Sequence, residues 1–203
     1  MNVTLIQATP NPVETIAQIA SICYDSNPKN PMALVKHLYN NGHMSVMEHI
    51  YFTFTIDGIS RAWSHQLVRP RHCSFTHRSQ RYCSEDGFEY VTPPTVDEDQ
   101  FRIDMSELRT WYKDHQEMYG VPNEDARYIL PNACATSLYL SCNLRELIHM
   151  ANERLCIRAQ WEIRDLVKAM CKLVDPQLQF MLVPKCQSGR IICNAHCGGG
   201  IKE

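Results

Sequence analysis

The chain has 203 residues, an apolar share of 44% and a formal net charge of −2. That length and composition suit one globular domain over residues 1–203, and the near-neutral charge argues against a nucleic-acid partner, whose binding domains are strongly basic. No apolar stretch reaches membrane-spanning length, residues 1–6 carry no signal-peptide pattern, and the ten cysteines therefore read as free thiols of a cytoplasmic protein with no membrane partner.

In chain order, residues 3–8 suit a short strand. Residues 13–23 suit a helix, with Ile16, Ile19 and Ile22 at helical spacing. A second helix over 31–41 opens on Pro31 and closes at Gly42. Ser45-Val46-Met47-Glu48 is a capping-box pattern. Residues 50–56 are rich in β-branched and aromatic side chains, the best strand signal, with Asp57-Gly58 as its stop. A helix over 59–68 delivers the chain to an arginine-rich segment. Further expectations are a strand at 88–91, a long charged helix over 97–119, a short helix over 123–130 ending at Pro131, a strand at 135–142 and mostly helix from 144 to 174. The mixture predicts an α+β fold with a small, mostly antiparallel sheet flanked by helices.

Four places collect polar groups that a core rejects. The segment from Arg69 to Tyr82 (Arg69-Pro70-Arg71-His72-Cys73-Ser74-Phe75-Thr76-His77-Arg78-Ser79-Gln80-Arg81-Tyr82) holds four arginines and two histidines without a lysine or an acid. A planar guanidinium suits phosphate or carboxylate, and Gln66 shares a helix face with Arg69. His43 and Ser45 precede Glu48-His49. Arg127 is a lone cation in an apolar run. Arg145, His149 and Asn152 share one helix face by their spacing, whereas Arg154, nine residues on from Arg145, points to the opposite face. Cys134 precedes a strand and reads as a buried, inert thiol, since a reactive one needs a cation or a helix N-terminus beside it. Cys186, Cys193, Cys197 and His196 form a cysteine-containing tail (184–203). Their spacing departs from the short pairs of strong zinc sites, so no metal site is assigned.

These residues resemble one family. Arg71, seven further residues and Ser79, then Arg81-Tyr82, are similar to the signature of the flavin-dependent thymidylate synthases of the ThyX type. So are Gly42-His43, Glu48-His49-Ile50, Ser64-His65-Gln66-Leu67, Arg127-Tyr128-Ile129-Leu130-Pro131, Asn143-Leu144-Arg145 and Ala159-Gln160-Trp161-Glu162-Ile163, in family order. The resemblance implies a homotetramer with active sites shared between subunits. It implies reductive methylation of dUMP to dTMP, with methylenetetrahydrofolate as one-carbon donor and FAD reduced by NADPH. Residue by residue, it places Gln66, Leu67, Val68, Arg69, His77, Arg78, Ser79, Gln80, Arg81 and Arg127 on the nucleotide. His43, Ser45, Arg69, Pro70, Arg71, His77, Asn143, Leu144, Arg145 and His149 fall on FAD. Arg154 falls on the uracil ring, as the catalytic cation. Pro70 departs from the pattern, standing where the family has His. It removes a backbone N–H and restricts Arg69, and so motivates two alternatives: a different uridine nucleotide such as UMP, or a flavin- or nucleotide-binding homologue without catalysis.

Overall fold

The computed structural model describes residues 1–189 and 193, with Tyr24 described by its backbone alone. The fold is α+β, as expected. Its regular elements are β1 (Asn2–Ala8), α1 (Pro12–Ser21), α2 (Pro31–Asn40), β2 (Tyr51–Ser60), α3 (Arg61–Leu67), β3 (Cys73–His77), α4 (Glu98–Glu117), α5 (Asn123–Ala126), β4 (Ala135–Asn143), α6 (Leu144–Arg154) and α7 (Trp161–Leu173). The sheet has four strands in the order β1-β2-β4-β3. The pairing of β2 with β4 is antiparallel: Leu144 N–H donates to Ile50 O at one end, and Arg61 N–H donates to Cys134 O at the other.

The chain forms two compact units. Unit 1 comprises residues 1–2, 56–69 and 76–139. Its core joins Phe88, Met105 and Cys134, with Phe101, Leu108 and Leu130 packed against them. Trp63, Leu67 and Tyr112 are wholly buried. Burying such side chains contributes about 1.5–3 kcal/mol each. Asp97 caps α4 by accepting from Gln100 N–H, and Ser60 caps α3 by accepting from Trp63 N–H. Such caps are worth about 1 kcal/mol.

Unit 2 comprises residues 3–55, 70–75 and 140–203. Here α1 packs on α2 and α6 on α7. Ile16, Val35, Leu147, Ile148, Leu166 and Val167 face inward, spaced as amphipathic helices require. Asn143 and Gln160 cap α6 and α7 by accepting from Glu146 and Ile163 N–H. The Gln160 cap also explains why residues 144–174 divide into two helices: a new start at Trp161 follows the irregular stretch after Arg154.

Several expectations are corrected. β2 runs through Asp57-Gly58 to Ser60, because Gly58 takes φ +70° there. A Cβ at Gly58 would lie 3.4 Å from the Met1 nitrogen. Residues 88–91 form only an isolated bridge, Tyr90 to Cys134, rather than a strand. The strand instead comes from the arginine-rich segment as β3, where Cys73, Phe75 and His77 alternate with more exposed neighbours. Ser45 caps nothing. The turn at Ser45–His49 is 3-10, Met44 occupies the cap position, and Glu48 binds Arg145 instead.

Candidate active site

Unit 1 carries most of the residues expected on the nucleotide. Two of them meet at one acid: Arg81 Nε donates to Glu124 Oε2 at 2.6 Å, and Arg127 Nε donates to the Glu124 carbonyl at 3.0 Å. Each guanidinium also lies over its neighbouring ring, Arg81 at 5.2 Å from Tyr82 and Arg127 at 5.9 Å from Tyr128. Both rings are exposed. Ser79 Oγ accepts from Arg81 N–H at 3.3 Å, so the hydroxyl and the arginine sit on one short turn. The result is an exposed pair of guanidinium forks held by short local contacts, a geometry suited to a phosphate.

Other expected residues of this unit hold structure as well. Arg78 donates through Nε to the buried carboxylate of Glu85 at 3.3 Å and through a terminal nitrogen to Ser84 O. Gln80 donates to the Cys134 sulfur at 3.7 Å. Leu67 is wholly buried, so only its backbone can meet a ligand, whereas Val68 and Arg69 are exposed and Gln66 is half-buried. His77, half-buried on β3, has its pKa lowered, first by burial and then by Arg61. Cys134 is buried, and that burial, reinforced by the charge of Glu85, pushes its thiol up to about 11, which matches the expected inert thiol.

Three residues of unit 1 were missed. Arg61 donates to the Arg78 carbonyl at 2.7 Å and lies within electrostatic reach of Arg78, Arg127 and His77. Its Nε is buried with no hydrogen-bond partner among the described residues. One signal pointed to it. Arg61 opens α3, and a cation at a helix N-terminus opposes the helix dipole, so some other contact must hold it there. Glu85 and Glu124 carry no such signal, because isolated acids are common on surfaces.

Unit 2 carries most of the residues expected on the flavin. The turn at Ser45–His49 packs against α6, and an Arg145 guanidinium nitrogen donates to Glu48 Oε1. His149 lies one turn beyond Arg145 and is exposed, as are His43 and Ser45. The packing of this turn sets the Ser45 hydroxyl and the Arg145 guanidinium beside the first turns of α6, with His43 two residues before the turn. The Asn143 side chain is spent on its cap, and Leu144 is wholly buried, so both can offer a ligand little beyond backbone. Arg71 is exposed and Pro70 half-buried in the segment that leads into β3.

Arg154 stands at the far end of α6, away from Arg145. It lines a cavity of about 340 Å³ with Asn152, Arg158, Lys185 and Cys156. Lys185 pairs with Glu153 at 3.8 Å. No group of three or more metal-ligating side chains occurs among the described residues. Cys197 and His196 lie outside them. No helix among the described residues is long and apolar enough to cross a membrane.

The family described as thymidylate synthase complementing protein matches residues 4–178. A flavin-dependent thymidylate synthase of Geobacter sulfurreducens is 41% identical over 86% of this chain and 82% of its own length. One of Pyrococcus furiosus is 40% identical over 84% and 77%. The crystal structure of thymidylate synthase X from Helicobacter pylori, solved with FAD and dUMP, has a similar fold. Its TM-score is 0.79 at 23% identity, over 90% of this chain and 97% of that one. The chain belongs to the flavin-dependent thymidylate synthase family.

Proposed function

We propose that this member of the family converts dUMP to dTMP by reductive methylation, with methylenetetrahydrofolate as one-carbon donor and NADPH as reductant, in a cytoplasmic homotetramer. The observation that carries the reading is the meeting of Arg81 and Arg127 at Glu124 beside the Ser79 hydroxyl. Two forked cations and a hydroxyl at one exposed point can bind a nucleotide monophosphate bidentately.

The donor set of unit 2 fits a diphosphate-bearing cofactor: the Arg145 guanidinium and the His43 and His149 imidazoles donate, and each is exposed. Arg71, Pro70, Asn143 and Leu144 complete the set assigned to FAD, with Arg69 and His77 shared between FAD and nucleotide. When bound, FAD supplies the hydride chemistry that no side chain can. The protein's own contribution is charge and orientation. Arg154 holds the ionised form of the uracil ring, which makes its C5 carbon more nucleophilic as charge develops. Gln66, Leu67, Val68, Arg78 and Gln80 frame the nucleotide, the last two while anchored to Glu85 and Cys134. Cys134 takes no covalent part, because its thiol stays protonated at neutral pH.

The test is the spectrum of the purified protein followed by a methylation assay on dUMP and on UMP. Bound FAD and dTMP formation support the reading. A colourless protein that forms no dTMP with FAD, NADPH and methylenetetrahydrofolate added overturns it. Pro70 favours one second reading, a homologue that binds flavin and dUMP without turnover. It predicts yellow protein, no product, and activity recovered by Pro70→His.

A further inference from the structure

Two cysteines outside the proposed chemistry face each other across the sheet. Arg78 N–H donates to Ser137 O, and counting back along the antiparallel strands β3 and β4 sets Cys73 opposite Cys142. Hydrogen-bonded and non-hydrogen-bonded pairs alternate along such a ladder, so Cys73 and Cys142, five steps from that bond, form a non-hydrogen-bonded pair. Their thiols share a hydrogen bond, which together with burial holds Cys142 in its protonated form. Opposed residues at such positions have Cα atoms about 4.5 Å apart, at the near edge of the disulfide range of about 4.4–6.8 Å. Cys142 is buried, whereas Cys73 is partly exposed at the start of its strand.

We propose that Cys73 and Cys142 form a reversible cross-strand disulfide when the protein meets a peroxide. The partly exposed Cys73 sulfur is oxidised first: its thiol and hydrogen peroxide give a sulfenic acid and one water. The Cys142 thiol then attacks that sulfur, the S–O bond breaks, and a second water leaves with the Cys142 proton. Both thiols together lose two electrons and two protons to the peroxide. A dithiol returns the pair to its reduced state. The strand spacing means that closure needs little backbone movement, which separates this pair from the other cysteines. Cys171 is the competing partner. It interacts with Cys142 electrostatically, but it sits on α7 and not opposite Cys142 in the strand ladder.

The test treats the full-length protein with hydrogen peroxide, quenches it, alkylates it under denaturing conditions and maps the peptides by mass. The expected product is a Cys73–Cys142 linked peptide pair, about 2 Da lighter than the sum of the free peptides. It reverts with dithiothreitol and is absent from Cys73→Ser. Recovery of both cysteines in alkylated form while other thiols oxidise overturns the proposal. So does a Cys142–Cys171 link, or a Cys73 that advances to sulfinic acid uncrosslinked.

Discussion

The arginines of the two units are held in contrasting ways. In unit 1, Arg78, Arg81 and Arg127 each bond a nearby carboxylate or carbonyl, and two of them also stack on a ring. In unit 2, Arg145 has a single exposed ion pair with Glu48. A guanidinium fixed beforehand loses little conformational entropy when an anion arrives, and that lowers the cost of binding. An exposed pair, Arg145–Glu48 and equally Arg81–Glu124, is worth about 0–1 kcal/mol and can be exchanged for a ligand phosphate, so the contrast rests on the two ring contacts and on the bond of Arg78 to buried Glu85. The contrast matches a small substrate phosphate that must be placed accurately and a larger cofactor held by many weaker contacts.

The largest expected effect lies with Arg154. Arg154→Ala should lower kcat with dUMP by about 10²–10³-fold, as for the loss of one preorganised electrostatic donor, with flavin content unchanged. An equal fall in both would make Arg154 part of the flavin group and blur the contrast. Next is Arg127→Ala. Loss of one charged contact to phosphate, about 1.5–3 kcal/mol, should weaken dUMP binding by ~10- to 100-fold in calorimetry. Arg145→Ala should reduce FAD affinity by less than this, because other donors of its group remain. If Arg145→Ala strips the flavin and Arg127→Ala leaves dUMP affinity intact, the two assignments must be exchanged.

How much of this was legible follows from the range of each interaction. Helices α1, α2 and α4 could be read because spacing, Pro and Gly are local signals, and Asp97 caps α4 as its position suggests. β3 could not. Five residues among arginines carry little apolar signal, and what makes them a strand is pairing with β4 far along the chain. The arginine signature was legible as anion-binding chemistry. Its partners Glu85 and Glu124 were not, because each is recruited through tertiary contact, and Arg61 was signalled only by its place at the start of α3. Ser45 and Glu48 show the opposite error: a local pattern predicted a cap, and the tertiary pair Glu48–Arg145 displaced it.

Glu85 offers a smaller test on the side of the preorganised unit. It is buried, takes a bond from Arg78 and donates its backbone N–H to Tyr112 Oη at 3.1 Å. Glu85→Gln keeps the shape and removes the charge, so it should lower stability by about 1–3 kcal/mol in urea unfolding. It should also raise KM for dUMP more than it lowers kcat, since it acts on Arg78 and the following turn rather than on the reacting ring.

The smallest expected effect is the titration of His77. Burial and the Arg61 charge lower its folded pKa, while the unfolded chain titrates near the ordinary value of about 6.5. Between these two values the unfolded state binds more protons than the native one, so stability falls as pH falls through that window and is retained above it. The imidazole signal in NMR should therefore show a midpoint below about 6.5, and Arg61→Met should raise it. Bound dUMP brings a negative phosphate close to the same arginine group and should raise the midpoint too. A midpoint that moves with FAD and not with dUMP would assign His77 to the cofactor, leaving the substrate group without its only imidazole.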